Sequence, residues 1–315
     1  MIKLFSLNLF LMCITLSAHS IEIIAHRGGS LLVPENSLGG MLHAISNHPF
    51  DRIDMDVFMT SDSKIVVVHD HQLSPALHLD EGEFISEESE YFISHMTYDE
   101  LSKFQVGKIN PAHYPHPTHE IAEIELHPIH LLSFIIKEIE EVTNQKMLYQ
   151  IEMKNTPLHP HLAPNPKIYV HEIATIIKDH GIINRVEVQS FDWKLLLALK
   201  KILPDVKISF VTELLEEGTQ EFGIYTKEWA GFSAHDFDGD YFDMIDQLGA
   251  DVWSADIRSL TQDQVNKAHQ KGIKVAVWTV NSQNDMEKMI QWKVDAIITD
   301  HPIRLAKLLT KKHRQ

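Results

Sequence analysis

The stretch RIDMDVFMTSDSKIVVVHD (Arg52–Asp70) reads as two strands around a polar turn, yet it carries charged groups inside its apolar runs. Side chains alternate across a strand with a period of two. Asp54, Asp56 and Phe58 therefore share one face, and Ile53, Met55 and Val57 the other. His69 and Asp70 close the second run. Other apolar runs end in the same manner. "AHRGGS" places His26 and Arg27 after the first run, and Gly28 and Gly29 permit a tight turn before "PENS" (Pro34–Ser37). "YQIEMKN" puts Gln150, Glu152 and Lys154 on one face, and "QSFD" (Gln189–Asp192) and "VWTVN" (Val277–Asn281) end two further runs.

Each of these signals is weak alone. A single Asp at a strand end more often forms a turn or caps a helix, and a single His is more often structural. Asp62 is expected to be a plain turn residue before Ser63. The convergence is what favours a site: Asp54, Asp56 and Glu152, His26 and His69, Arg27 and Lys154 all fall at strand ends. Clustered carboxylates repel in a low dielectric, and one takes up a proton unless a cation joins them. One divalent metal is the simplest solution, and an all-oxygen set suits Mg²⁺ or Ca²⁺ rather than zinc. Arg27 and Lys154 suit an anionic oxygen such as phosphate. Two histidines can act as base and acid on opposite sides of one displacement. The sum is metal-assisted phosphoryl transfer.

The elements that must position these groups follow from the patterning. Eight β-rich runs recur: Ile21–Ala25, Arg52–Phe58, Met147–Met153, Arg185–Ser190, Val206–Val211, Ala250–Ala255, Ile273–Val280 and Asp295–Thr299. Helix-like stretches follow most of them, among them Asn36–Ser46, Lys167–His180, Trp193–Ile202, Thr261–Lys271, Asn284–Trp292 and Pro302–Lys312. Thr261 suits an N-cap and Gly272 a helix stop. This alternation predicts an α/β protein with a parallel sheet, and eight repeats predict a closed (β/α)₈ TIM barrel, with catalytic groups at the C-terminal ends of the strands. An open doubly wound sheet is the other architecture the pattern allows. The pattern breaks over roughly residues 73–145, which exceeds a usual connection. That stretch holds an acidic run (Asp80–Glu90), "NPAHYPHPTHE" and an amphipathic segment near His130–Glu141. It is expected to contain the helix after the second strand plus a small inserted lobe.

The formal net charge is −16, from 44 acidic and 28 basic residues. Such a surface disfavours nucleic acid and anionic membranes as partners, so an anionic substrate needs a local positive cluster. Residues 1–20 (MIKLFSLNLFLMCITLSAHS) have the layout of a secretory signal: Lys3, an apolar stretch Leu4–Leu16, then Ala18 and Ser20. The expectation is export to the periplasm or the medium, with residues 21–315 as the mature barrel. The apolar stretch is too short for an ordinary membrane span, and no later segment suits one, so no stable membrane insertion is expected. Cys13 is the sole cysteine and would leave with the signal.

The motifs, taken in order, resemble the glycerophosphodiester phosphodiesterase family. Its signature of "HRG", "PENT", "E-x-D-V" with a hairpin to "HD", and "E-x-K" is matched by His26-Arg27-Gly28, Pro34-Glu35-Asn36-Ser37, Asp54-Met55-Asp56-Val57, His69-Asp70 and Glu152-Met153-Lys154. "QSFD", "WTVN" and "DAIITDHP" are also family-like, so the resemblance spans nearly the whole chain after residue 20. It implies a TIM barrel with an insertion after the second strand. It implies hydrolysis of a glycerophosphodiester to glycerol 3-phosphate and an alcohol, with a small-molecule substrate. By resemblance, His26 and His69 are the acid–base pair. Asp54, Asp56 and Glu152 hold one Ca²⁺ or Mg²⁺. Arg27 and Lys154 hold phosphate, and Trp278 walls the pocket. Glu35 supports Arg27 or the metal shell, and Asp70 is a supporting residue. Asp54 departs from the family's usual Glu and reaches roughly 1.5 Å less far from the backbone.

Two other functions fit the same sequence. A phospholipase D-like or phosphatidylinositol-specific phosphodiesterase would use the same barrel and histidine pair. A secreted histidine-rich metal-binding protein is suggested by the 21 histidines, especially His113, His116 and His119.

Overall fold

The computed structural model describes residues 21–157, 159–213, 231–237 and 240–312. The signal-like residues 1–20 lie outside them. Eight parallel strands close into a barrel: β1 (Glu22–Ala25), β2 (Arg52–Met59), β8 (Leu148–Met153), β9 (Val186–Ser190), β10 (Lys207–Thr212), β11 (Val252–Asp256), β12 (Lys274–Trp278) and β13 (Ala296–Thr299). They follow one another around the barrel in chain order, and β1 pairs with both β13 and β2 to close it. All eight expected runs become barrel strands. The closed barrel is therefore the observed architecture, and the open sheet is not.

Among the described residues, five shorter strands lie outside the barrel. β3 (Ile65–Val67) returns antiparallel on β2 as the expected hairpin. β4 (Leu79–Asp80), β5 (Glu83–Phe84), β6 (Gln105–Val106) and β7 (His127–Pro128) form a small antiparallel sheet. This lobe has its own apolar centre of Leu73, Ile85, Ile93, Leu101, Phe104 and Ile129. That centre packs on Phe58, Val66 and Val68 of the hairpin. The inserted residues therefore sit on the element that carries His69.

The helices cover the barrel by burying one face each. α1 (Leu38–Asn47) begins at Ser37, whose Oγ accepts the Gly40 N–H at 3.1 Å. α2 (Tyr98–Leu101) is a single turn in the lobe. α3 (Leu132–Thr143) buries Leu132, Ile135, Ile136 and Ile139, the spacing of one helical face. α4 (Pro166–Asp179) starts with Asn165 as cap and proline in its first turn. α5 (Trp193–Ile202) is capped by Asp192 of the QSFD stretch. α6 (Tyr241–Gln247) precedes β11. α7 (Gln262–Gln270) has Thr261 and Gln264 in a reciprocal capping box. α8 (Gln283–Trp292) follows β12, and α9 (Pro302–Lys312) follows β13. None of the described helices is long and apolar enough to cross a membrane.

The barrel interior is divided. Outward residues such as Ile53, Met55, Ile151, Val188 and Phe210 bury against the helices. On β1, β11, β12 and β13, Ile24, Val252, Ala276, Ala296 and Ile298 form one apolar cluster, with Trp278 packed against it. Inward residues of β2, β8 and β9 are polar, and register places Asp54 beside Gln150, Asp56 beside Glu152, and Glu152 beside Gln189. The carboxylates of β2 and β8 thus stand across the barrel from this apolar cluster.

Candidate active site

The chain leaves β1 through one 3-10 turn of His26, Arg27 and Gly28. Arg27 takes a left-handed φ of 52°, which costs a residue with a Cβ roughly 1–2 kcal/mol. Three contacts hold it there. Its backbone N–H donates to Asp54 Oδ2 at 3.1 Å. Its NH1 donates to Glu35 Oε1 at 2.8 Å, and its Nε stands 3.2 Å from Asp56 Oδ2. Gly28 and Gly29 continue at φ of 89° and 100°, as the tight turn requires. A Cβ on Gly29 would also touch Pro302 at 3.4 Å. Asn36 locks the other end of the loop. Its Nδ2 donates to Asp56 Oδ2 at 2.8 Å, and its Oδ1 accepts the Asp56 N–H at 3.1 Å.

Asp54 and Asp56 are both fully buried, and their electrostatics diverge. Burial pushes the Asp54 carboxyl up to about 7, and repulsion from Asp56 and Glu152 adds to this. Burial opposes ionisation of Asp56 too. Lys154, His69 and Arg27 outweigh it and hold that carboxyl far below the usual range. Lys154 Nζ donates to Glu152 Oε1 at 2.8 Å and stands 3.5 Å from Asp56 Oδ1. Gln189 spans the two sides, with Nε2 at 3.3 Å from Asp54 Oδ1 and 3.5 Å from Glu152 Oε2.

The two histidines are anchored alike. His26 Nδ1 lies 2.6 Å from Asp300 Oδ1, and His69 Nδ1 lies 2.7 Å from Asp70 Oδ1. A carboxylate only accepts, so each ring carries its hydrogen on Nδ1 and leaves Nε2 for exchange. Asp300 is itself fixed by Ser30 Oγ at 2.6 Å and Asn281 Nδ2 at 2.5 Å. Burial lowers the His26 pKa, but the Asp300 carboxylate more than compensates and the net shift is upward.

His26, Arg27, His69, Asp70, Glu152, Lys154 and Trp278 open onto one cavity of about 470 Å³. Glu35, Asp54 and Asp56 do not line it; they stand behind Arg27 and Lys154. The opposite wall is Phe58, Phe191, Val211, Trp278 and Ile298. Trp278 is held by donating Nε1 to Ser254 O at 3.1 Å, and it meets Phe191 edge to face.

Among the described residues, no three His, Cys, Asp or Glu side chains are gathered as a metal-ligand set. Arg27 and Lys154 reach Asp56, and Lys154 reaches Glu152. The donor chemistry still fits a hard divalent ion. Burial first, and then repulsion from Asp56 and Glu152, raises the Asp54 carboxyl to about 7, so a cation beside it would favour its charged form. Asp56 Oδ1 and Gln189 Oε1 are buried oxygens without a hydrogen bond. The histidines of the inserted loop go separate ways: His113 Nδ1 to Glu87 at 2.8 Å, His116 against Tyr114, and His119 Nε2 to Glu120 at 3.6 Å. They do not form a cluster.

Sequence reasoning missed four members of this arrangement. Asp300 follows β13 as Asp70 follows the hairpin, and that strand-end logic could have found it. Asn281 and Gln189 sit in motifs already quoted, with no role attached. Tyr114 belongs to the inserted loop, and nothing in its sequence surroundings points to Glu35, whose Oε2 it reaches at 2.7 Å.

The sequence matches the model of the Glycerophosphoryl diester phosphodiesterase family over residues 26–304. It is 27% identical over 290 residues to a glycerophosphodiester phosphodiesterase of Caldanaerobacter subterraneus subsp. tengcongensis, covering 92% of this chain and 98% of the relative. A solved structure from Silicibacter pomeroyi DSS-3, of a candidate glycerophosphoryl diester phosphodiesterase, superposes with a TM-score of 0.80 at 26% identity, covering 94% of this chain and 95% of that one. An Oleispira antarctica phosphodiesterase in complex with the product sn-glycerol-3-phosphate shares the fold, with a TM-score of 0.67 at 19% identity over 92% of this chain and 96% of that one.

Proposed function

The chain belongs to the glycerophosphoryl diester phosphodiesterase family, and we propose that it hydrolyses glycerophosphodiesters to glycerol 3-phosphate and an alcohol through the His26/His69 pair. The observation that carries this reading is the facing of two Nδ1-anchored histidines with Arg27 and Lys154 on one cavity. Arg27 and Lys154 hold the phosphodiester through its non-bridging oxygens. One histidine takes the proton of the attacking hydroxyl, either water or the substrate's own glycerol hydroxyl. The other gives a proton to the departing alkoxide. If a cyclic phosphate forms first, the two exchange roles when water opens it. Asp300 and Asp70 stabilise whichever imidazole is charged, and both rings keep the tautomer that exposes Nε2. Trp278 and Phe191 form the apolar side against which the organic part of the substrate rests.

Asp54, Asp56 and Glu152 are the residues that would hold Ca²⁺ or Mg²⁺. When bound, such an ion supplies charge neutralisation at a phosphoryl oxygen. The Arg27–Asp56 and Lys154–Glu152 contacts keep the carboxylates and cations aligned. Glu35 acts on Arg27 rather than on the carboxylates. The signal-like first twenty residues support export, so the substrates would be diesters outside the cytoplasm.

The test is hydrolysis of water-soluble glycerophosphodiesters, with chelator, Mg²⁺ and Ca²⁺ compared. His26→Ala and His69→Ala should each cost at least about a hundredfold in kcat, with the fold retained by circular dichroism. Full activity in either variant would refute the pair. Activity that survives chelation would refute the metal role.

A further inference from the structure

The loop that carries Arg27 does not stand alone. The inserted segment after Asn110 runs across it. Tyr114 is presented by a turn in which its N–H donates to Asn110 O, while Asn110 donates backbone N–H to Ala76 O and Nδ2 to Pro75 O. Further along, Ala122 N–H donates to Leu32 O. Tyr114 is 8% exposed, and its hydroxyl lies 2.7 Å from Glu35 Oε2 and 3.2 Å from Ser30 O. A phenol has one hydrogen to give. The shorter and charge-assisted contact is the one to Glu35. Glu35 uses its other oxygen for Arg27 NH1, and Arg27 reaches Asp56 through Nε. The result is a chain of contacts from the insertion to the cation on the cavity wall: Tyr114, Glu35, Arg27, Asp56.

We propose that Tyr114 is a positioning residue for phosphate binding, acting through Glu35 to aim Arg27 into the cavity. The proposal rests on Arg27 being the phosphate holder. Glu35 is buried, so an oxygen left without its donor must turn away or take up a proton. Either change releases NH1 of Arg27. A guanidinium freed on that side can swing toward Asp56 or pair with another carboxylate, and the substrate then loses a pre-aimed fork. Because Tyr114 touches neither His26 nor His69, the defect belongs to binding of the phosphate rather than to proton transfer.

The experiment uses the full-length protein. Tyr114→Phe keeps the ring and removes the hydroxyl. KM for a glycerophosphodiester and Ki for glycerol 3-phosphate should both rise by about tenfold, with kcat within about twofold of wild type. Loss of packing alone would lower the melting temperature or the active fraction and leave KM and Ki where they were; that result overturns the proposal. Glu35→Gln and the Glu35→Gln/Tyr114→Phe double variant guard against a folding defect. The two changes should be strongly non-additive in Ki, because they break one chain. Additive effects overturn the proposal. Arg27→Lys, measured alongside, separates the two levels of the argument. A raised Ki there with no change in Tyr114→Phe defeats the Tyr114 role alone. An unchanged Ki in Arg27→Lys defeats the phosphate role of Arg27 and the inference with it.

Discussion

Replacing Asp300 by Asn tests whether His26 is a working base or acid or merely a wall residue. Asp300 Oδ1 sits 2.6 Å from His26 Nδ1, and three other groups converge on the carboxylate or its backbone. Ser30 Oγ and Asn281 Nδ2 both donate to it. An asparagine there keeps the size but must point its NH₂ at one of these donors or at His26. The charge that supports an imidazolium disappears, and the tautomer that frees Nε2 is no longer enforced. A charge-assisted bond of this kind is worth about 2 kcal/mol, or about thirtyfold. Loss of the enforced tautomer adds a further factor, so kcat should fall by about a hundredfold to a thousandfold. KM should change little, since Arg27 and Lys154 remain. The sign with pH is also fixed. Asp300 raises the pKa of His26, so its removal moves the limb of the kcat/KM profile that belongs to His26 to lower pH. Steady-state hydrolysis from pH 5 to 9, with thermal melting as control, reads both effects. A folded variant with kcat within about threefold of wild type would refute the assignment of His26 to proton transfer.

Two more outcomes follow from the geometry. His78 is buried and its Nδ1 accepts the Ser74 N–H at 2.9 Å, so burial depresses its pKa to about 4 from an unfolded value of 6.5. A depressed histidine favours the folded state above pH 6.5 and loses that advantage as pH falls through 4, by about 3 kcal/mol in all. Urea midpoints of wild type and His78→Asn from pH 7.5 to 4 should therefore converge or cross, and parallel curves would contradict this. Asp54→Glu restores the longer acid and extends the carboxylate by roughly 1.5 Å. It should change the ratio of activation by Mg²⁺ and Ca²⁺, at a cost of about 1–3 kcal/mol in stability for the extra methylene at a fully buried position. An unaltered ratio would argue that Asp54 does not touch the ion.

The barrel was legible because two signals coincide at every strand: β-rich apolar runs, and polar residues at their ends. The division of the interior was only half legible. Alternation put Asp54 with Asp56 on one face and Gln150 with Glu152 and Lys154 on another, but nothing local distinguishes Ile24 or Ile298, which line the apolar cluster, from residues facing the helices. Pairing across the closure was hidden for the same reason. His26 and Asp300 lie 274 positions apart, and their contact depends on β1 meeting β13. Tyr114 was least visible. It lies in a proline-interrupted loop without periodicity, and its role comes entirely from where the lobe is laid. The histidines around it drew attention by number, while the tyrosine among them makes the contact with Glu35.

The pairing of β1 with β13 has a temporal consequence. His26 is made 274 positions before its anchor. All of the chain between them must emerge, and β13 must dock against β1, before that imidazole has this partner. Such long-separation contacts form late and slowly compared with local ones. Secondary structure and much of the apolar interior can thus be complete while the protein remains chemically silent. Return of turnover after dilution from denaturant then serves as a clock for ring closure, independent of any spectroscopic signal from helices.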